Sequence, residues 1–178
     1  MELHELEERI ALFQQLADEG DAKAQYNLAI FLHQGIGVLP SHEKAYHYLT
    51  LAAAQKHPRA LYMLGCYSML GFVVTPSEED AAHFFQCAAD LGNDDAQYNL
   101  GVLMLSGKGI EKSETKAFQY FKMAAEQGHS DATYNLGICY YQGIGVLPSR
   151  DESIHYLELA VQKRHPKAPT ALEFILMN

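Results

Sequence analysis

The sequence predicts an all-α protein, a right-handed α-solenoid of antiparallel helix pairs, and three observations carry this prediction. A short motif returns along the chain at a constant step of 36 residues. Within each unit, apolar residues follow the period of about 3.6 residues that is typical of amphipathic helices. Glycine and serine recur at fixed positions where helices would end and begin. Periods of roughly 20–50 residues mark arrays in which each repeat buries its apolar face against its neighbours.

The repeated motif is Ala-x-Tyr-x-Leu. Its clear copies begin 36 residues apart, at Ala24, Ala60, Ala96 and Ala132, and a weaker copy begins at Ala168. Because no insertion breaks this register, we expect residues 1–178 to form a single solenoid domain. The expected parts are an N-terminal capping helix (1–20), four repeats (21–56, 57–92, 93–128 and 129–164) and a C-terminal helix (165–178).

Each repeat is expected to hold two helices, A and B. In the first repeat, helix A runs from about Asp21 to Gln34, and Gly35-Ile-Gly37 then ends it. Helix B begins after a serine whose hydroxyl can cap the first helical turn, which contributes about 1 kcal/mol. The same serine column is filled by Ser41, Ser77, Ser113 and Ser149.

The ends of helix B and the two terminal helices follow from the same columns. Helix B ends near Gly20, Gly92 and Gly128, and the remaining copies have Lys56 and Arg164 there, since a cation suits a helix C-terminus. Leu6 to Ala17 matches a lone helix B, and Pro166 to Met177 matches a lone helix A. Ten helices are therefore expected. The apolar face of helix B in the first repeat consists of Ala45, Tyr48, Leu49, Ala52 and Ala53.

Composition narrows the classes of partner. The net charge is −9 with 13 Lys and Arg residues, which disfavours nucleic acid and anionic membranes. No run of apolar residues is long enough for a membrane span, and the acidic amphipathic start does not resemble a secretory signal. We therefore expect a cytoplasmic protein. The three cysteines occupy columns that are apolar in the other repeats, which predicts buried free thiols, with a contact on the binding side left open for Cys66.

Catalytic chemistry is not expected, and neither is a cofactor or a metal. Ser41 and Lys44 match a Ser-x-x-Lys pattern, as do Ser113 and Lys116, but both serines belong to the helix-cap column. The shared column of His47, His83 and His155 lies opposite the packed face of helix B, where solvated side chains are the better interpretation. The double-glycine loops follow helices and recur with the repeat, so they are helix terminators and not phosphate loops.

A family resemblance rests on the third repeat. Its segments are Ala-Gln-Tyr-Asn-Leu-Gly from Ala96, Gly-Lys-Gly-Ile from Gly107, Lys116-Ala117, and Ala-Ala-Glu-Gln-Gly from Ala124. This pattern resembles the Sel1-like repeat family, relatives of the tetratricopeptide repeats, and the resemblance covers roughly residues 21 to 172. The sequence departs from it at Gly71-Phe-Val73, where a double glycine is expected, and at Ala29 and Glu173, which replace a glycine. The resemblance implies an adaptor whose concave face, lined by the A helices, holds a peptide or protein segment.

A helical wheel of helix A separates a candidate binding stripe from the packed face. We define the A-helix stripe by Lys23, Asn27, Ile30 and Gln34 and by their copies one, two and three repeats later. An asparagine amide donates and accepts at once, so this stripe can bind a peptide backbone, although the same amides can tie neighbouring loops. The predicted binding residues are Asn27, Asn99, Asn135, Lys23, Arg59, Gln34 and Gln142, with the bordering tyrosines Tyr26, Tyr62, Tyr98 and Tyr134, for which helix packing is the favoured alternative.

Charge along the stripe predicts polarity, because Lys23 and Arg59 occupy its first column early in the chain and Asp95 and Asp131 occupy it later. The sequence thus predicts a non-enzymatic adaptor or scaffold that binds a protein or peptide. One alternative is an inhibitor or immunity-type protein that sequesters one specific partner. Another is a self-associating module, a weak homo-oligomer through uncapped terminal helices and the apolar residues Phe174 to Met177.

Overall fold

A computed structural model describes residues 3–177, and every regular element in this range is an α-helix. The predictions for residues 1, 2 and 178 lie outside the described residues. The ten described helices match the ten that the repeat register predicts. They are α1 (Leu3–Asp18), α2 (Ala22–Gln34), α3 (His42–Ala54), α4 (Pro58–Leu70), α5 (Glu78–Asp90), α6 (Asp94–Ser106), α7 (Glu114–Glu126), α8 (Ser130–Gln142), α9 (Arg150–Gln162) and α10 (Ala168–Met177).

The helices group into two compact units, residues 1–91 and residues 92–178. The division falls one residue before the expected boundary between the second repeat (57–92) and the third (93–128). In the first unit, α2 packs on α3 and α4 on α5, with further packing of α1 on α2 and of α3 on α4. In the second unit, α6 packs on α7 and α8 on α9, with further packing of α7 on α8 and of α9 on α10. The single domain expected for the whole chain stays a prediction.

The core of each unit is built from the apolar face predicted for helix B. Ala45, Leu49 and Ala52 of α3 are fully buried, whereas Tyr48 and Ala53 are half-buried beside them. The column of Leu49 continues with Phe85, Phe121 and Leu157, all buried. Small residues let the helices approach and large ones fill the space between them, which gives the close packing of a protein interior.

Glycines on helix A set how closely helices A and B approach. A Cβ atom built on Gly101 would lie 2.7 Å from Cε1 of Phe121, and one on Gly65 would lie 2.6 Å from Cε1 of Phe85. These distances are shorter than any real carbon contact, so a side chain at either position would displace the ring. The first repeat departs from this pattern because Ala29, which is fully buried, belongs to the same column and is paired in sequence register with Leu49.

Helix starts and ends follow the predicted columns, with one addition. The Ser41 hydroxyl accepts from the backbone N–H of Lys44, and the other three serines of the column cap α5, α7 and α9 in the same way. The column after helix B has left-handed backbone: Lys56 has a φ of 61° and Arg164 a φ of 60°. These two cations therefore occupy a conformation that costs a non-glycine residue about 1 kcal/mol or more.

One local expectation differs from the structure. The last helix begins at Ala168 and not at Pro166, because residues 166 and 167 form a turn in which the Ala168 N–H donates to the carbonyl of His165 at 3.2 Å. The loop of the second repeat also differs from its copies. Gly37, Gly109 and Gly145 are left-handed, whereas Val73 is not, and the preceding Phe72 ring stacks on His42 at 4.8 Å.

The three cysteines are thiols and not disulfides in the described part of the chain, as their columns predict, but they differ in burial. Cys139 is buried, and burial raises the pKa of its thiol to about 11, which keeps the thiol protonated and unreactive. Cys66 and Cys87 are only half-buried. The expectation of buried thiols therefore holds for Cys139 and is too strong for the other two, whose helix positions lie at the margin of the packed face.

Candidate protein-binding surface

The A-helix stripe is accessible in both units. On α2, Lys23 and Gln34 are exposed and Asn27 and Ile30 are half-buried, while the packed face of the same helix is buried. The copies follow this pattern: the first column is exposed in every repeat and the asparagine column is half-buried. The exposed members are Lys23, Arg59, Asp95, Asp131, Val102, Gln34, Leu70, Ser106 and Gln142.

In the first unit, the start of this stripe forms a cleft of about 420 Å³ between α2 and the start of α4. Four predicted binding residues line it: Lys23, Tyr26 and Asn27 from α2, and Arg59 from α4. His57 and Pro58 complete the lining. We call this the cationic cleft, since both Lys23 and Arg59 are exposed there.

A stacked pair forms one wall of the cationic cleft. The rings of Tyr26 and His57 lie 4.8 Å apart and are inclined by 22°. His57 is also the N-cap of α4, because its Nδ1 accepts from the backbone N–H of Ala60 at 3.3 Å. Burial lowers the pKa of His57, and the nearby charges of Arg59 and Lys23 lower it further, against an opposing effect of Asp21. The ring is therefore held neutral, which its capping role requires.

The second unit repeats the stack with a different charge. Tyr98 stacks on His129 at 4.7 Å, and Tyr134 stacks on His165 at 4.3 Å. In both pairs a carboxylate from the first stripe column faces the histidine. The Nε2 atoms of His129 and His165 lie 3.5 and 3.1 Å from carboxylate oxygens of Asp95 and Asp131, respectively.

Sequence reasoning missed these histidines as tyrosine partners. The available signal was the constant spacing of 31 residues from Tyr26 to His57, repeated from Tyr98 and from Tyr134. The stacks account for three of the four predicted tyrosines by packing between helices. The fourth, Tyr62, lies with its ring centroid 5.7 Å from that of Phe85.

The three stripe asparagines are used differently. Asn27 lines the cationic cleft. Asn99 donates to the carbonyl of Asp95 on its own helix at 3.0 Å. The Asn135 side chain hydrogen-bonds to the hydroxyl of Tyr98, whose pKa is raised mainly by burial and secondarily by Asp131. The alternative role of tying neighbouring elements is thus seen at Asn135, while an amide with four hydrogen-bonding positions keeps capacity for a ligand.

In the second unit the stripe borders an apolar groove of about 530 Å³ between α8 and α10. The columns of the stripe continue beyond α8 onto α10, one period later. There, Lys167, Ala171 and Phe174 correspond to Asp131, Asn135 and Ile138. We call this the apolar groove. Its lining consists of Tyr134, Ile138, Tyr141, Gln142, Pro166, Lys167, Thr170, Ala171, Phe174 and Ile175.

Other candidate chemistry is accounted for by local structure. The Ser41 and Ser113 hydroxyls accept backbone N–H groups of Lys44 and Lys116, so the two Ser-x-x-Lys patterns are helix caps. His47, His83 and His155 are exposed, as expected. Among residues 3–177, no three His, Cys, Asp or Glu side chains are grouped so that they could hold a metal ion. Over the same range, each helix is too short or too polar to span a bilayer.

Comparison with solved structures shows the same fold in other proteins. A Sel1 repeat protein from Oxalobacter formigenes is 27% identical with a TM-score of 0.84, and the match covers 90% of this chain and 66% of that one. A protective antigen of uropathogenic Escherichia coli strains, described as displaying an SLR fold, is 28% identical with a TM-score of 0.89, covering 93% of this chain and 36% of that one. The chain thus spans less than two thirds of either protein.

A more distant structure is an immunity protein from Pseudomonas aeruginosa, 24% identical over 89% of this chain and 58% of that one, with a TM-score of 0.58. This likeness shows the fold alone. A search of curated proteins found no match.

The sequence pattern of the Sel1 repeat matches four consecutive segments, residues 22–57, 58–93, 94–129 and 130–165. These segments make up most of the chain and keep the 36-residue step. They confirm the resemblance inferred from the third repeat, and with the matched structures they confirm the predicted all-α solenoid class. The chain belongs to the Sel1 repeat family.

Proposed function

We propose that this chain is a non-enzymatic scaffold that binds a peptide or protein segment on the A-helix stripe. Sel1 repeat proteins generally mediate protein–protein interaction, so the class of partner follows from the family. One observation carries the choice of surface. Residues selected from sequence columns alone line a concave surface in each unit. Lys23 and Arg59 line the cationic cleft of the first unit, and Ile138 and Gln142 line the apolar groove of the second.

The two surfaces, each taken within its own unit, offer different chemistry to a bound segment. The cationic cleft offers charge and an amide, whereas the apolar groove offers aromatic and aliphatic side chains such as Tyr141 and Phe174. Protein interfaces commonly combine an apolar contact that supplies affinity with polar groups that fix orientation. A single hydrogen bond adds only about 0.5–1.5 kcal/mol, so specific binding requires several of these residues together.

The proposal is tested by selecting binders from a displayed library of random linear peptides on the full chain. The selected peptides are then synthesised, and their dissociation constants are measured by fluorescence anisotropy. Changing Asn27, Asn99 and Asn135 together to alanine is expected to weaken binding by roughly tenfold to a hundredfold, from three lost hydrogen bonds. Thermal melting of each variant separates lost contacts from lost fold, which matters for Asn135 because it also bonds to Tyr98.

A matched control changes the exposed helix B histidines His47, His83 and His155 to alanine. This variant alters three exposed side chains on the other helix of the repeat and should keep the affinity of the parent. The proposal would be contradicted if the asparagine variant bound the selected peptides as tightly as the parent. It would also be contradicted if only the histidine variant changed their affinity.

Self-association is a second candidate, favoured by the C-terminal helix. Phe174, Leu176 and Met177 of α10 are 56%, 55% and 78% exposed, although Ile175 is buried. Three large apolar side chains at one helix end are typical of an interaction surface. Light scattering over a range of concentrations distinguishes this candidate. A dimer that dissociates when Phe174→Ser and Leu176→Ser are introduced would support it. A monomer at high concentration would exclude it. An inhibitor that sequesters one partner would use the same A-helix stripe as the scaffold.

A further inference from the structure

The cationic cleft differs in charge from the equivalent positions of the second unit. There, Asp95 and Asp131 each place a carboxylate oxygen within 3.5 Å of a histidine Nε2. In the first unit the residue that corresponds to Asp95 is Lys23, and His57 corresponds to His129. Within residues 3–177, neither Lys23 nor Arg59 forms an ion pair. His57 thus lies near two cations, whereas His129 and His165 at the equivalent positions each face a carboxylate.

The geometry of His57 leaves a donor for an incoming carboxylate. Its Nδ1 accepts from the N–H of Ala60, so the neutral ring carries its proton on Nε2, the atom that faces the carboxylate in the copies. The carboxylate of Asp21 also lies near His57, and it caps α2 by accepting from the N–H of Ala24 at 2.7 Å. Because neither Lys23 nor Arg59 is ion-paired with it, both cations can bind a carboxylate from a ligand.

The shape of the cleft limits what the ligand can be. Its volume of about 420 Å³ accommodates one or two side chains, and its walls are the stacked Tyr26 and His57 rings and Pro58. The Asn27 amide at its edge can bond to the backbone that carries such a side chain. The net charge of −9 opposes a polyanion such as nucleic acid over most of the surface, whereas a single carboxylate meets only the local pair of cations.

We propose that the cationic cleft binds the carboxylate of an Asp or Glu side chain in the partner segment, between Lys23, Arg59 and Nε2 of His57. This inference rests on the proposed function and specifies the chemistry of the segment. The partner thereby supplies in the first unit the carboxylate that Asp95 supplies within the second. Charge-assisted hydrogen bonds of this kind are stronger than neutral ones, so the acid is a principal determinant of specificity.

The test uses peptides selected on the full chain and synthesised with amidated C-termini, so that only side chains carry carboxylates. The main variant is Lys23→Asp, which installs the residue that the third repeat already has at this column and should fold. A second variant, Arg59→Gln, removes the other cation without adding an acid. The matched control is Lys44→Asp, the same charge change at an exposed lysine in the first turn of α3.

We expect the winners to share an Asp or Glu whose replacement by Asn or Gln weakens binding about tenfold. Lys23→Asp should weaken binding of the acidic peptide at least as much. In that variant, replacing the acid of the peptide should have little further effect, because both changes remove the same interaction. Arg59→Gln should weaken binding less, and Lys44→Asp should leave it within about twofold.

Three results would count against the inference. Peptides that respond to the asparagine variant, but share no acid or ignore Lys23→Asp, would refute the carboxylate site and leave the proposed function standing. A selection that yields no peptide binding to the A-helix stripe would refute both. Equal losses in Lys23→Asp and Lys44→Asp would also count against the site, because they would show a dependence on net charge alone.

Discussion

Replacing Gly101 by alanine should destabilise the second unit, although alanine is the better helix former. The new Cβ would lie 2.7 Å from Cε1 and 2.9 Å from Cδ1 of Phe121, whose ring is fully buried. Carbon atoms in contact normally lie about 3.5–4.0 Å apart, so the ring must move by nearly 1 Å in a packed core. Overpacking costs about 1–3 kcal/mol and the helix propensity of alanine returns about 1 kcal/mol. The middle of the overpacking range therefore gives a net loss of about 1 kcal/mol.

Urea unfolding followed by circular dichroism measures this loss, and a second change tests its cause. Phe121→Leu removes the ring atoms Cε1 and Cζ that the new methyl group would meet, and the first repeat holds Ala29 and Leu49 together in these columns. The new leucine must adopt the placement of Leu49 and not that of Leu157, whose Cγ would lie 2.7 Å from a Cβ on Gly137. The double variant should then be at least 1 kcal/mol more stable than the sum of the single effects predicts. Gln119→Ala, an exposed change on α7, is the control and should be neutral or slightly stabilising.

The reasoning on helix approach would be refuted by either of two results. One is a Gly101→Ala variant as stable as the parent, which would show that the ring moves at no cost. The other is strict additivity with Phe121→Leu, which would show that the two residues do not share the space that the structure assigns to them.

Three further predictions concern helix ends and pH. Lys56→Gly should raise the free energy of unfolding by about 0.5–1 kcal/mol, because glycine adopts the left-handed backbone at no steric cost; denaturant unfolding checks this, and a loss of stability would contradict it. Ser113→Ala should lower the free energy of unfolding by about 1 kcal/mol through the lost cap of α7, and an unchanged midpoint would argue against the cap. Acidification should destabilise the chain, because folding lowers the pKa of His33, mainly by burial and then by His42, and also that of His57. The unfolded chain binds more protons as pH falls below its ordinary histidine pKa of 6.5, so this contribution is present above pH 6.5 and is lost below it. Urea unfolding above and below pH 6.5 should show a smaller loss of stability in a His33→Gln, His57→Asn variant than in the parent. Equal losses in the two proteins would refute this origin.

Much of the fold followed from the columns of the repeat, because helix termini depend on local chemistry. A serine at the start of helix B caps that helix in every repeat. Ser41 and Ser149, three repeats apart, accept the same hydrogen bond from a backbone N–H three residues later. The register also separated the packed face of helix A from the A-helix stripe, since one wheel applies to every copy. These features depend on residues a few positions apart, and the sequence shows such neighbours directly.

The details that sequence reasoning missed depend on contacts between helices. The stack of Tyr26 on His57 joins two helices, and His57 lies just outside its own helix, where a wheel assigns no direction. The course of the second-repeat loop was equally inaccessible. The replacement of a glycine by Val73 signals a different backbone, but not that Phe72 would stack on His42. The sequence shows that the column of Asp95 holds the opposite charge at Lys23. The consequence of this inversion could be inferred only once the position of His57 beside Lys23 was known.

The central claim is that the A-helix stripe is the binding surface, and chemical-shift mapping tests it most directly. Amide signals of the isotope-labelled full chain are followed while a selected peptide is added. The largest changes should fall on stripe residues such as Asn27, Arg59 and Ile138 and on their helix neighbours. Changes concentrated instead on the exposed helix B residues, such as His83 and His155, with the stripe unaffected, would contradict the claim.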